Sequence, residues 1–521
     1  MTHPALVQDW DVVVVGTGMG GGILGRALAE AGLRVLFLEK GVADHRKAEN
    51  GLSEVGLPEA RLLRGLWPDP VHVTLDGRDH SFFAPLGAGV GGSSVFYAAT
   101  LERPERHDLD DLSGRPHPTG GWPVGFDAMR PWFDAATVQF RIYGDADPLS
   151  AEPAPPLRAA PALNRTEASL MQGLRRAGLH PYHAHTALER LSGCMVCLGR
   201  KCPRACKMDA RSAGLEPALA TGNACLVTRA EVTRLIADPE QVTGLEVRTP
   251  DGVAMVKARR IVLAGGALNS PRLLLASTNE HWPQGLANRT GLVGRNLMFH
   301  LNELFAIWPR QGFAKDGATK AISLRDFYHR EDGRFGTVQA MGLRASYGEI
   351  VHYLNLTLAR TSLGRIPGLR HLTRLPAALA EAVFGHAQIF VGLMEDLPYP
   401  DNRVIHDPGN PDRISIRYSF APELLERRRA FRSAIRKGMA GQRMMFLGML
   451  PELNYGHPCG TLRFGKSSKD AVLDVDCRAY GLRNLWVTDA SFMPTSMGVN
   501  PSLTIAANAL RVAGAIATDA R

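Results

Sequence analysis

The chain has 521 residues, 45% of them hydrophobic and 21% charged, a composition that excludes a mainly disordered protein and allows a large buried core. This length exceeds one ordinary core and points to two interleaved domains. The formal net charge of +9 raises nucleic acid or an anionic membrane surface as partners; there is no basic block with interleaved aromatics and no nucleic-acid motif, so nucleic-acid binding is not expected.

The opening residues, MTHPALVQDWDVVVVG, lack the basic region, apolar stretch and small-residue cleavage site of a secretory signal. No run of about 18 apolar residues follows, so no spanning helix is expected and cytoplasmic is the simplest location. Seven cysteines, an odd number in such a chain, argue against a disulfide framework.

In chain order, residues 11–16, DVVVVG, form a short β-branched run suited to a central parallel strand buried on both faces. It leads into Gly16-Thr17-Gly18-Met19-Gly20-Gly21, then a helical pattern ending at Gly32, then RVLFLEKG, a second strand closing on Glu39. Each part has a mechanical task. Gly16 permits the tight turn, Gly18 lets the backbone approach a pyrophosphate, Gly21 lets helix and strand pack closely, and the helix N-terminus offers free N–H groups to phosphate. Glu39, eighteen residues after Gly21, stands where a carboxylate can accept bonds from ribose hydroxyls. The unit predicts an adenine dinucleotide and leaves NAD and FAD both open.

Residues 84–98, APLGAGVGGSSVFYA, hold a second glycine cluster through which the backbone could pass close to a flat or charged ligand. A Pro/Ala-rich stretch at 147–163 reads as an extended surface connector. Cys194, Cys197, Cys202 and Cys206 then crowd into thirteen residues. Four thiolates at such spacing are expected to act as one ligand set, for an iron–sulfur cluster first and a structural zinc second, with disulfides or free thiols as the competing reading. Residues 244–277 predict a hairpin with an Asp-Gly turn, a buried strand IVLAGG that returns to the cofactor domain, and a helix opened by Asn269, Ser270 and Pro271. The stretch 363–385 alternates apolar residues with arginines and could lie on a membrane surface or cover a substrate entrance, an ordinary helix pair being the competing reading. The C-terminal segment predicts a buried strand ending at Asp489, a loop, and a helix from about Pro501 to Ala517.

Together the blocks VVVGTGMGGG, GAGVGGSSVFY, AGGALNSPRLLLAS and HPCGTLRFG…LWVTDASFMPTSMGVNPSLT resemble the glucose–methanol–choline (GMC) family of flavin oxidoreductases, in particular its branch containing cholesterol oxidase and pyranose oxidase. They span nearly the whole chain in the family's order. The resemblance implies an α/β fold: a Rossmann-like FAD-binding domain assembled from 1–45, 84–118, 190–300 and 450–521, and a sheet-plus-helices substrate domain with connectors from 46–83, 119–189 and 301–449. It implies FAD rather than NAD. By position, Gly16, Gly18, Gly21 and Glu39 would hold the ADP part, Gly91, Gly92 and Ser93 would lie near the isoalloxazine or pyrophosphate, Asp489 would approach the ribityl–phosphate end, and Asn500 and Pro501 would sit against the flavin ring. Two departures matter. Tyr97 stands where cholesterol oxidase has an asparagine, and SSVFY lacks the histidine that bonds covalently to FAD in pyranose oxidase, so a non-covalent flavin is expected.

The family's catalytic pair falls on His457 and Asn500. Oxidation of an alcohol by a flavin requires loss of the hydroxyl proton as the carbon-bound hydrogen leaves as hydride, and an imidazole titrates near the pH where that proton must be taken. His457 is the expected base, and the amide of Asn500 can fix the alcohol oxygen. The expected substrate is a small-molecule alcohol such as a sterol, sugar, glycoside or similar secondary alcohol. Two alternatives stand beside it: a lyase that keeps FAD structurally, and an iron–sulfur-linked dehydrogenase passing electrons to an acceptor protein or quinone. His183, His185, His300 and His352 stand out by position only and read as surface or core histidines; Cys225, Cys459 and Cys477 read as small core residues, although Cys459 could face the site.

Overall fold

The computed structural model describes residues 3–42, 57–194, 197–204, 206–311, 319–330, 332–344 and 387–520, with a few isolated positions between them. The β-branched run after the N-terminus forms the strand Trp10–Val15, with Val12, Val13 and Val14 wholly removed from solvent. Burial on both faces requires parallel neighbours covered by helices. The strand lies at the centre of a five-stranded sheet ordered Leu485–Val487, Ala258–Leu263, Trp10–Val15, Val35–Leu38, Ala224–Val227, every pair parallel. The central, middle and C-terminal strand predictions thus meet in one sheet. The last strand closes at Val487, two residues before Asp489, because the chain there turns into the short helix Ala490–Phe492.

The helix Met19–Glu30 packs against the long C-terminal helix Ser502–Asp519, which packs in turn against Phe126–Gln139. Phe126, Phe133 and Phe140 join the same hydrophobic core as the parallel sheet. Each buried aromatic of this kind is worth roughly 1.5–3 kcal/mol relative to exposure. The expected division put 119–189 with the substrate domain, but this helix belongs to the dinucleotide core. The predicted Asp-Gly hairpin joins Val242–Thr249 to Gly252–Val256 in a three-stranded antiparallel sheet completed by Glu231–Ala237.

A second core fills the space behind a six-stranded antiparallel sheet, ordered Met444–Phe446, His300–Ile307, Gln388–Glu395, Val338–Arg344, Ile322–Leu324, Tyr182–His183. Gln388–Glu395 is buried along its whole length, with Phe431 and Ile435 of the helix Pro422–Gly438 packed so closely that only glycine fits at 392. His300 and Glu395 face each other at one end of this sheet, the end that meets the dinucleotide fold. The connector 147–163 contains no helix or strand, as expected. The stretch 363–385 lies largely outside the described residues. Among the described residues no helix is long and apolar enough to cross a membrane.

Candidate active site

The glycine turn is built by close approach of backbone. Gly16 has φ +98°, and a Cβ there would stand 2.6 Å from the carbonyl oxygen of Ala264. A Cβ on Gly21 would lie 2.1 Å from the carbonyl of Gly16, so this glycine seats the helix on the strand as expected. Gly20, which the spacing did not single out, meets the carbonyl of Thr488 at 2.1 Å in the same sense and ties the helix to the C-terminal strand. Gly18 caps Met19–Glu30 without a side-chain hydrogen bond, leaving first-turn amides free for a ligand.

The second glycine cluster closes over the first. Gly91 and Gly92 have φ +89° and +55°, and a Cβ on Gly92 would stand 2.9 Å from Cα of Gly18. Gly91 N–H donates to Thr17 Oγ1 (3.1 Å), and Ser93 Oγ accepts from Gly87 N–H (2.9 Å), closing the loop on itself. Buried Glu39 accepts from Thr17 N–H (3.1 Å) and Thr17 Oγ1–H (2.7 Å) on one oxygen and from Gly41 N–H (3.1 Å) on the other. A carboxylate has about four lone-pair sites, so one is left for an outside donor. Uncapped amides, a cradle that any Cβ would fill and a carboxylate with spare capacity at the strand end fit an adenine dinucleotide such as FAD.

Asp489 is committed differently. Its oxygens accept from Gly266 N–H (2.9 Å), the Ser270 hydroxyl, Ser491 N–H (3.0 Å) and the Ser491 hydroxyl, while burial pushes its carboxyl up. In this structure it braces the AGGALNS turn against the C-terminal strand, and the four protein donors use the capacity expected to face a ribityl chain.

His457 sits in a loop laced to the start of the strand His300–Ile307. Met298 and Cys459 exchange backbone bonds of 3.0 Å, Asn454 N–H donates to His300 O (2.8 Å), and His457 N–H donates to Asn454 O (2.9 Å). The rings of His300 and His457 consequently meet edge to face, with centroids 5.1 Å apart. His300 Nε2 lies 3.1 Å from the Met497 carbonyl, which brings in the turn carrying Asn500 and Pro501. That turn is held by Thr337 N–H on Gly498 O (2.8 Å), and a Cβ at Gly498 would strike the Tyr328 ring at 2.7 Å. Asn500 is buried with Oδ1 lacking a partner among the described residues, and His300 Nδ1 is in the same position. Burial lowers His300 to about 4; burial and the neighbouring His300 hold His457 well below the usual histidine range, so both rings are neutral at pH 7.

The structure therefore brings His457 together with the turn carrying Asn500, and adds His300. In the sequence His300 stands out by position only and reads as a surface or core histidine. Its contact to Met497 spans 197 residues, and no local spacing announces it. Cys459 is wholly buried and belongs to the dinucleotide core, as a small core residue.

The structure gives no support to the four clustered cysteines as a ligand set. All are free; Cys202 and Cys206 have their sulfurs 3.3 Å apart, yet among the described residues no three of the sulfurs lie mutually within 4.8 Å. The loop is organised by a buried ammonium: Lys207 Nζ donates to the carbonyls of Val95 (2.9 Å), Tyr97 (3.3 Å), Cys197 (2.8 Å) and Arg200 (2.8 Å), pinning the cysteines to the second glycine cluster. Neither the sulfur geometry nor the relatives below support an iron–sulfur or zinc site.

Models of the GMC oxidoreductase family match residues 13–302 and 408–509. The chain belongs to the GMC oxidoreductase family. It is 29% identical to paromamine 6'-oxidase of Streptomyces fradiae over 98% of this chain and 92% of that one, and 27% identical to 2-methyl-1,2-propanediol dehydrogenase of Mycolicibacterium austroafricanum over 96% and 94%. The crystal structure of pyridoxine 4-oxidase from Mesorbium loti superposes with a TM-score of 0.63 and 22% identity, covering 97% of this chain and 99% of that one, and shares the fold. These relatives support the family and do not single out the cholesterol oxidase and pyranose oxidase branch. The protein is a GMC flavoenzyme acting on CH–OH or related groups, with FAD as the family's cofactor.

Proposed function

We propose that this GMC oxidoreductase oxidises a small polar alcohol at a carbinol carbon held among His457, His300 and Asn500. The observation that carries the reading is the pair of neutral imidazoles meeting edge to face beside the Asn500 turn, with His300 Nδ1 and Asn500 Oδ1 buried and without partners among the described residues. A buried polar atom left open calls for a partner, which a ligand's polar group or an ordered water can supply. The uncapped helix beginning after Gly18, the Glu39 carboxylate and the facing glycines Gly91 and Gly92 would hold FAD, with Ser93 shaping the loop and Pro501 beside Asn500. Bound FAD would supply the hydride acceptor. The protein's own part is to orient the hydroxyl, exclude water and take its proton onto a neutral ring. Non-covalent attachment follows from SSVFY, which offers no histidine. The dinucleotide domain is read as 1–45, 84–118, 190–300 and 450–521, extended by Phe126–Gln139.

The substrate class draws on the activities of the named relatives: an amino sugar or a vicinal diol fits better than a sterol. In 2-methyl-1,2-propanediol only the primary carbinol bears a hydrogen to transfer, so a hydroxymethyl group heads the list and a secondary alcohol follows. The test is anaerobic bleaching of the bound flavin by a panel of paromamine, 2-methyl-1,2-propanediol, fructose, a long-chain alcohol and cholesterol. Bleaching by the first two and not the last supports the reading. A flavin that no alcohol reduces counts against it.

A further inference from the structure

The pleat of the six-stranded sheet decides which side chains share a face with His300. Successive residues of a strand point to opposite faces, and residues paired across antiparallel strands share one. In His300–Ile307, Leu301, Phe305 and Ile307 enter the second hydrophobic core, and Glu303 meets Arg428 of the helix that covers that side. The opposite face therefore carries His300, Asn302, Leu304 and Ala306. The register Asn302↔Leu393, Leu304↔Val391 and Val391↔Gln339 extends it across two more strands, and Thr337, two residues before Gln339, shares it. Thr337 stands at the end near His457 and Asn500, since its N–H donates to Gly498 O (2.8 Å).

Three features set this face apart. Leu301 and Phe305 are 0% exposed and Glu303 only 1%, whereas Asn302 and Leu304 between them are half-buried, so open space adjoins the face in mid-sheet. Val391 and Leu393 are buried yet join no hydrophobic core among the described residues. Asn302 Oδ1, Thr337 Oγ1 and Gln339 Oε1 are buried without hydrogen-bond partners among the described residues, Thr337 and Gln339 being themselves almost wholly enclosed. Three such atoms on one face are costly to leave unpaired. Strand geometry puts Asn302 about 7 Å from His300 along its own strand and Thr337 roughly 10 Å from Asn302 across two strand spacings. Beyond this polar end the face turns apolar at Ala306 and Ile389, which begin a small cluster of their own.

We propose that Asn302, Thr337 and Gln339 form a specificity row that binds the hydroxyl or amino groups flanking the reacting carbinol, so that the preferred substrate is a polyhydroxylated or aminated ring. The proposal rests on the alcohol-oxidation reading above and decides between the two substrate classes named there. Carboxamides and a hydroxyl each donate and accept, which matches the O–H and N–H groups of an amino sugar without demanding a fixed charge. A diol of four carbons, once its carbinol lies beside His457 and Asn500, has no group left to reach the row. A site built to hydrogen-bond a substrate group rejects the analogue lacking it far more strongly than an apolar pocket distinguishes a methylene, because its own buried polar atoms are then left unpaired.

The first measurement needs no turnover: calorimetric titration of paromamine into holoenzyme whose flavin has been photoreduced under anaerobic conditions. Thr337→Val and Gln339→Leu should each weaken binding about tenfold. Wild-type binding no tighter than that of 2-methyl-1,2-propanediol, or binding unchanged in both variants, overturns the proposal. Because this titration takes no hydride, it decides the row even if no alcohol bleaches the flavin and the oxidation reading falls. Urea unfolding of the ligand-free holoenzyme is the second measurement. Each variant removes an unpaired buried polar atom, so its midpoint should equal or exceed that of the wild type; a lower midpoint in both would show that the protein itself satisfies these atoms, and overturns the row. With oxidised enzyme, the ratio of kcat/KM for paromamine to that for the diol should fall about tenfold in each variant, and an unchanged ratio overturns the assignment. Should Gln339→Leu fail to fold, Gln339→Met keeps the side-chain length and serves in its place.

Discussion

At the glycine turn the fold works by leaving side chains out, whereas around His457 it works by bringing side chains in from loops far apart in the chain. Gly16, Gly20, Gly21 and Gly92 each sit where a Cβ would come within 3 Å of backbone, and the contacts at Gly16 and Gly21 lie within one strand–turn–helix unit and its neighbouring strand. The histidine pocket has the opposite construction: His300, Asn454, His457 and Asn500 come from a strand end, a loop and a distant turn, and their geometry depends on two cores docking correctly. A backbone-built site is rigid and tolerates no added methyl. A side-chain-built site should respond to charge and pH.

The largest effect should come from the backbone-built end. Gly20→Ala drives a methyl into the Thr488 carbonyl, and neither helix nor strand can yield without moving the sheet. We expect a loss of about 3 kcal/mol or more in urea unfolding, together with loss of the yellow colour. A variant that unfolds at the wild-type urea concentration would show that the turn has slack and would weaken the contrast. Next comes the pH response of the pocket. His300 is held at about 4 in the folded chain, against about 6.5 when unfolded. The unfolded state therefore binds more protons between those values, and the stability contributed by neutral His300 is complete above about pH 6.5 and lost as pH falls toward 4. The full loss is on the order of 3 kcal/mol. Asp396, pushed up to about 7 by burial, acts with the opposite sign and loses stability as pH rises through the same range, so the two must be separated. Subtracting the stability–pH curve of His300→Gln from that of the wild type should leave a slope confined to pH 4–6.5. A flat difference would mean that the ring is not buried as described.

A third, smaller effect tests where the two constructions meet. Glu39 is a side chain, yet its bonds run to backbone and hydroxyl donors of the first glycine turn, which are linked to Gly91 of the second. Glu39→Ala should weaken FAD binding by about 1.5–3 kcal/mol, roughly 10–100-fold in Kd, while far-UV circular dichroism stays unchanged. Affinity equal to the wild type would move ribose recognition elsewhere.

The contrast also explains what could be read from the chain. Strand, turn, helix and acid lie within thirty residues, so local periodicity and the glycine spacing disclose them, and the apolar runs IVLAGG and LWV point to the buried ends of strands that lie at Ala258–Leu263 and Leu485–Val487. Gly20 was passed over because its partner, Thr488, lies at the other end of the chain. Phe126–Gln139 was placed with the wrong layer because an amphipathic helix does not state which core its apolar face will meet. His300 gave no local sign at all: a histidine opening a strand has the same sequence appearance whether it buttresses a catalytic ring or packs in a core. His457 and Asn500 were picked out by resemblance, and residue chemistry alone would have left them unremarked.

The smallest expected effect concerns the cysteine loop, which by spacing alone resembled a third chemical centre. Thiolates gather around a metal because their mutual repulsion is relieved only when a cation shares their charge, and that requires the sulfurs to converge on one point. Here Lys207 gives its ammonium to four carbonyls of this loop and of the second glycine cluster, while Cys202 lies against both Cys206 and Cys197 and, among the described residues, no three sulfurs converge on one point. On this geometry the loop is a clamp on the glycine cluster, held by a cation of the protein's own. Metal analysis of anaerobically purified protein should find iron and zinc well below one atom per chain. Cys194→Ser, placed on a partly exposed thiol, should change stability by less than about 1 kcal/mol and leave flavin content intact. Iron and sulfide in stoichiometric amounts, lost in Cys194→Ser, would show that the sulfurs converge in the living protein and would add an electron exit to its two sites.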